Sequence, residues 1–364
     1  MVTTTDTSKT EAFVERLFGA TLGAIDVMSV YLGDRLGLYR SLAKDGPATP
    51  PELAQRASIH PRYAREWLEQ QAVSEILEVD DVSKAEDERR YALSSAHAEA
   101  LIDPDSPFSI APLARAFASI GTVLPKVMEA YRTGGGVPWA DYGVDGIEAQ
   151  GDFNRPWLVH QFGTEFLPLV PDVHARLQAD PPARVADVAC GVGWAGIAIA
   201  RAYPKVSVNG FDFDESSIAL AQGFAREAGL GDRVSFKVRD AGDPANGGAY
   251  DLAVVIEAIH DLSRPVEALA AIRKMLAPGG TAIIADERVE DAFMAPGNEV
   301  ERLLYGASIF LCLPASMAEQ PSAATGTVIR AGTMRRYASE AGFSSVEVLE
   351  QIEHPFLRFY RLTP

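Results

Sequence analysis

After Pro181-Pro182 the chain changes character, and short apolar runs alternate with helical patterns through to its end. Such runs, spaced by helix-length segments, call for a parallel sheet, because a right-handed crossover helix returns each strand to the sheet beside its neighbour. Strands are expected near 185–189, 207–211, 234–238, 252–256 and 281–285. Runs near 346–349 and 356–360, after the helical GTMRRYASEAGF, bring the number to seven. The fold class is therefore α/β, with a Rossmann-like seven-stranded sheet.

The 364 residues exceed one typical domain, so a second unit precedes the sheet. Phe13, Leu17, Ala20, Ala24, Val27 and Tyr31 recur at helical spacing, which predicts one or two long amphipathic helices between Glu11 and Leu42. Their apolar face serves a domain core, and any part left over suits a homodimer. Two short helical patterns follow, each opened by proline and joined at Ile59-His60, with a wing strand ending in RRYALS. That spacing resembles a winged helix-turn-helix. Disorder is expected at most over residues 1–10. Between the units, a helical stretch from Pro112 to Leu177 is broken by GGGVPWADYG, which either reaches over a pocket or forms an exposed connector.

Charge excludes some partners. The formal net charge is −17, and the second winged-helix helix carries Glu66, Glu69 and Glu75 against Arg62 and Arg65, so phosphate backbones would be repelled and nucleic acid is not an expected partner. The two cysteines, Cys190 and Cys312, form no disulfide framework or Cys-x-x-Cys pair. MVTTTDTSKTEAF has no basic-then-apolar leader, and no segment has the roughly 20 apolar residues that a membrane span needs, so a cytoplasmic protein without a membrane partner is expected. The six histidines are scattered without an i, i+4 ligand pair, so no metal is expected.

The strand ARVADVACGVGWAG runs into a glycine turn and a helix, where backbone N–H groups face a polar or anionic ligand. Gly191, Gly193 and Gly196 read as G-x-G-x-x-G with Asp212 some 20 residues on, a dinucleotide fingerprint that keeps a nicotinamide oxidoreductase as a rival. Asp187, inside the strand and four positions before Gly191, is foreign to that fingerprint. Asp187, Gly191, Gly193 and Asp212 together resemble the S-adenosylmethionine (SAM)-dependent methyltransferase family, as do VSFKVRDAGDP and MLAPGG. The resemblance covers about half the chain, from Pro182 onward.

That resemblance implies a cofactor site for SAM, with S-adenosylhomocysteine as product, made by Asp187, Ala189, Cys190, Gly191, Gly193, Asp212, Phe213, Asp240, Ala241 and Glu257. By analogy Asp212 accepts the ribose hydroxyls, Phe213 flanks the adenine, and Asp240 with Ala241 meets it. Ala189 replaces the family's first loop glycine, a swap tolerated if its backbone stays extended.

Strand four runs DLAVVIEAIHDLSRP, so His260 falls at the carboxyl end of a parallel strand, the edge where open sheets bind ligands. Imidazole titrates near neutrality and suits a general base; Asp286 and Glu287, ending strand five, are the expected orienters. His260-Asp261 and Asp286 resemble the winged-helix O-methyltransferases of phenolic and related natural products, whose relatives include bacterial proteins labelled transcriptional regulators. Leu262 departs from that family's tryptophan.

The resemblance implies a dimerising winged-helix domain at 1–110, a helical linker and acceptor lid at 111–180, and a SAM-binding domain at 181–364. It implies methyl transfer to a hydroxyl of a small, largely apolar acceptor. C- or N-methylation and a SAM-sensing regulator are the alternatives. Phe310, Leu311, Cys312, Leu313 and Met317 are expected to wall the acceptor pocket, and His160, Gln161 and Phe162 to roof it.

Overall fold

The computed structural model describes residues 7–243 and 249–364 and divides into two compact units, Met1–Ala118 and Ser119–Pro364. Residues 1–6 of the segment expected to be irregular lie outside the described residues, and residues 7–10 already belong to a helix, Thr7–Arg35. Of the residues expected to form its buried face, Phe13, Leu17, Ala20 and Ala24 are exposed and Val27 and Tyr31 half-buried, and Phe18, Leu22, Ile25, Met28 and Leu32 are also about half exposed, so the helix remains largely uncovered.

The rest of the first unit is a small winged helix. Helix Pro50–Ala57 opens on a capping box, with the Thr49 hydroxyl accepting from the Glu52 amide and the Glu52 carboxylate accepting from the Thr49 amide. The expected wing is an antiparallel pair, β1 (Glu78–Val79) with β2 (Tyr91–Ala92). Leu38, Tyr39, Leu53, Trp67, Leu68 and Tyr91 form the core. On helix Pro61–Val73 the basic residues are matched by acids: Arg62 pairs with Glu66, and Arg65 with Glu86.

All seven expected strands of the second unit are present: β3 (Arg184–Val188), β4 (Ser207–Asp212), β5 (Val234–Val238), β6 (Tyr250–Ile256), β7 (Leu276–Glu287), β8 (Ser345–Val348) and β9 (Leu357–Thr363). Their order is β5-β4-β3-β6-β7-β9-β8, parallel except for β9, which runs antiparallel to both β7 and β8. The order reverses between β4-β3 and β6, the switch point at which open sheets hold ligands beyond their carboxyl ends. Near-continuous apolar strands such as Ala253–Val254–Val255 are buried on both faces, as a sheet covered by helices on each side requires. Two apolar layers result, one under helix Trp194–Ala202 and one under helices Pro265–Met275 and Ala331–Glu340.

Among the described residues, no helix is long and apolar enough to cross a membrane.

Candidate active site

The switch point opens into one cavity of about 520 Å³ within the second unit, bordered by the ends of β3, β4 and β6 and by the turns that follow them. Of the residues expected at a cofactor site, Asp187, Ala189, Cys190, Gly191, Gly193, Asp212, Phe213, Asp240, Ala241 and Glu257 all line it.

The glycine loop is braced by carboxylates from beneath. The Gly196 amide donates to Asp187 Oδ2 at 2.8 Å, and the Gly191 amide donates to Asp212 Oδ2 at 2.8 Å. Asp212 Oδ1 accepts from the Asp214 amide at 2.9 Å. Gly193 is required twice over, because its φ is +84° and a Cβ there would lie 2.5 Å from the Phe236 ring. Burial pushes the Asp187 carboxyl up to about 7, with the Asp212 charge adding to the shift, and burial likewise raises Asp212.

Ala189 departs from expectation. Its φ is +53°, in the left-handed region and not extended, a conformation that costs a Cβ-bearing residue about 1 kcal/mol or more. The alanine thus keeps the backbone shape of a glycine that it replaces, at a cost in strain.

At the neighbouring strand end, His260 is almost fully buried and both its ring nitrogens face carboxylates. Nδ1 lies 2.6 Å from Asp286 Oδ1, and Nε2 lies 3.3 Å from Asp261 Oδ1. Asp261 itself lines the cavity, with its side chain 38% exposed, and so stands between the imidazole and the open space. Burial alone would lower the His260 pKa, but Asp261 and Asp286 outweigh it and hold the proton well above the ordinary histidine range.

Glu287 does not orient the imidazole through a hydrogen bond, contrary to expectation. Successive strand residues point to opposite faces, so Asp286 and Glu287 cannot present their carboxyls alike. Glu287 is buried near Glu257, and burial together with the Glu257 charge raises its pKa well above the usual carboxylate range. Glu257, at φ +49°, has Oε2 accepting from Gln150 Nε2 and from Asn154 Nδ2, each at 2.7 Å. Burial raises its pKa as well.

The side of the cavity expected to take an acceptor differs in detail from expectation. The Gly-rich loop does reach over the pocket: Pro138 and Trp139 line the cavity, the Val137 amide donates to the Pro314 carbonyl, and Tyr142 Oη donates to the Phe310 carbonyl at 2.8 Å. Of the expected wall, Leu311 lines the cavity, joined by Ala315, Ser316 and Ala318. Cys312 instead turns inward toward His260 and Asp261. The expected roof lies further back in the chain: Gln150, Gly151, Asn154 and Leu158 face the cavity, whereas Phe162 is sealed in the core against Trp157.

Similarity to known proteins agrees with this geometry. Residues 179–329 match the methyltransferase domain family, and residues 23–102 match the Rv2258c-like winged helix-turn-helix domain. Ajmaline N-methyltransferase of Rauvolfia serpentina is 34% identical over 114 residues, 30% of this chain and 39% of that enzyme. The chain thus spans less than half the length of the curated relatives it matches first. A solved structure of a Nostoc punctiforme protein described as an O-methyltransferase superposes with a TM-score of 0.69 at 18% identity, over 96% of this chain and 99% of that one. Human N-acetylserotonin methyltransferase, solved in complex with SAM, gives 0.69 at 15% identity over 100% and 99%. The fold is that of the Rossmann-like methyltransferases. By these matches, residues 179–329 are similar to a methyltransferase domain and residues 23–102 to a winged helix-turn-helix domain.

Proposed function

We propose that the chain is a SAM-dependent methyltransferase that places a methyl group on a hydroxyl of a small, largely apolar metabolite, with His260 as general base. The observation that carries this reading is the Asp286–His260–Asp261 row at the carboxyl ends of β6 and β7, beside a cavity rimmed by the glycine loop.

The cavity suits SAM better than a dinucleotide. Amides that would cradle a pyrophosphate, those of Gly191 and Gly196, already donate to Asp212 and Asp187. The Asp187 and Asp212 carboxyls also line the loop end of the cavity, and acceptor groups there suit a ligand that brings ammonium and hydroxyl donors better than a phosphate. Asp187, Cys190, Gly191, Gly193 and Asp212 would hold the cofactor, with Phe213, Asp240 and Ala241 around its adenosine. SAM, when bound, supplies an electrophilic methyl group for an in-line displacement.

The chain's own residues then position the acceptor and move one proton. Asp286 fixes Nδ1 as the protonated nitrogen, which leaves Nε2 to receive the acceptor's hydroxyl proton as the oxygen gains its methyl group. Asp261, on the cavity side of Nε2, lies on the proton's path. Leu311, Ala315, Ala318 and Trp139 exclude water and match an apolar acceptor. Residues 1–110 serve dimerisation through the uncovered apolar face of helix Thr7–Arg35, residues 111–180 act as acceptor lid, and the protein works in the cytoplasm.

N-methylation is a second reading, favoured by Asp261, Glu267 and Glu319 on the acceptor side, whose charge suits an amine. Incubation with isotopically methyl-labelled SAM and a panel of phenols and amines, with products resolved by mass and NMR, tests both. Label on oxygen supports the first reading, and label confined to nitrogen replaces it with the second.

A further inference from the structure

We propose that His260, Asp261 and Cys312 form a binding site for a divalent cation of zinc-like softness, and that occupation of this site switches the enzyme off. The switching role rests on His260 acting as base; the site itself does not.

One donor atom from each of the three residues lies within 4.8 Å of the other two. Nδ1 is committed to Asp286, so Nε2 is the nitrogen left to bind. Imidazole, carboxylate and thiol form a mixed N, O, S set of the kind that zinc takes in tetrahedral sites, where neighbouring ligand atoms stand about 3.4 Å apart. Nε2 and Asp261 Oδ1 already stand 3.3 Å apart. The Cys312 sulfur lies within 4.8 Å of both.

Three further features mark the cluster as a site and not a coincidence of burial. Asp286 supplies the outer carboxylate that holds a metal-binding imidazole in the correct tautomer, at 2.6 Å from Nδ1. Asp261 Oδ1 is a buried acceptor without a well-aligned hydrogen bond, the condition that a cation would relieve. Cys312 ends a widened helical turn, Ser308–Cys312, a distortion that re-aims side chains and recurs at functional sites. Because Asp261 also lines the cavity, the cluster borders the space open to solutes.

A cation on Nε2 takes up the lone pair that would receive the acceptor proton. The bound form therefore cannot act as base, and removal of the ion restores it.

Cobalt(II) titration of the full-length, untagged chain tests the site without reference to activity. A thiolate-to-cobalt charge-transfer band in the near ultraviolet, saturating at one equivalent and displaced by zinc, is the expected result. It should vanish in Cys312→Ser and weaken at least tenfold in affinity in His260→Ala, while Cys190→Ser keeps it. Competition between the unaltered protein and a chromophoric zinc chelator gives the same answer if a variant fails to fold. No band and no zinc retention by the unaltered protein, or a band that survives Cys312→Ser, overturns the site. Equimolar zinc should abolish methyl transfer and a chelator should restore it; full turnover of the zinc-loaded protein overturns the switch. Absence of methyl transfer under all conditions would sink the proposed function while leaving the cobalt spectrum intact.

Discussion

The two ends of the cavity are built on different principles. The glycine-loop end is made of backbone: Gly191, Gly193 and Gly196 shape it, and Asp187 and Asp212 hold it through amide hydrogen bonds. Its parts lie within one strand-turn-helix-strand unit. The β6–β7 end is made of side chains gathered from distant segments: His260 and Asp261 after β6, Asp286 on β7, Cys312 from the widened turn, and Gln150 and Asn154 reaching Glu257 from more than 100 residues away. A ligand common to a large class of enzymes can be held by a local backbone device, whereas a particular acceptor needs a surface assembled to fit it.

Substitutions can separate the two ends. His260→Ala should lower turnover by about 10²–10⁴-fold while leaving SAM affinity unchanged, because the imidazole acts on the acceptor alone. Steady-state methyl transfer alongside calorimetry checks this, and a parallel loss of SAM affinity would show that the ends are coupled. Asp212→Ala should weaken SAM binding by about 1.5–3 kcal/mol, roughly 10–150-fold, through loss of charge-assisted hydrogen bonds and of the brace on the Gly191 amide. An unaltered dissociation constant would refute the assignment of this loop to the cofactor.

The pH profile of kcat/KM sharpens the comparison further. A base must be deprotonated to act, and Asp261 and Asp286 hold the His260 proton above the ordinary 6.5, so activity should rise as pH climbs past that value. Asp261→Asn removes one of the charges that raise it and should move the rising limb toward acid. A limb that stays in place assigns the titration to another group. The smallest effect is expected at Ala189, where φ is +53°. Ala189→Gly relieves left-handed strain but adds unfolded-state entropy, for a net gain of up to about 1 kcal/mol in urea denaturation.

Legibility in the sequence follows the same division. All seven strands were readable because each is a short apolar run bounded by turn residues, and the glycine loop at the cavity was readable because its residues are neighbours in the chain. Helical periodicity shows that a face is apolar but not how far the helix is rotated over its neighbour. For that reason Phe162 was expected at the cavity and lies in the core, while Gln150 and Asn154 were missed. Glu257 between Gln150 and Asn154, and Cys312 beside His260, are contacts between segments that no local spacing announces. Ala189 misled for a different reason, since a Cβ at that position argues against the left-handed backbone that the turn imposes. Strand alternation, by contrast, already implied that only one of Asp286 and Glu287 would orient the imidazole.

Calorimetric titration of the purified chain with SAM, S-adenosylhomocysteine and NADH in one buffer tests the central claim most directly. The account predicts saturable one-to-one binding of the first two and none of NADH. Binding of NADH alone would contradict it and restore the dinucleotide reading of the glycine loop.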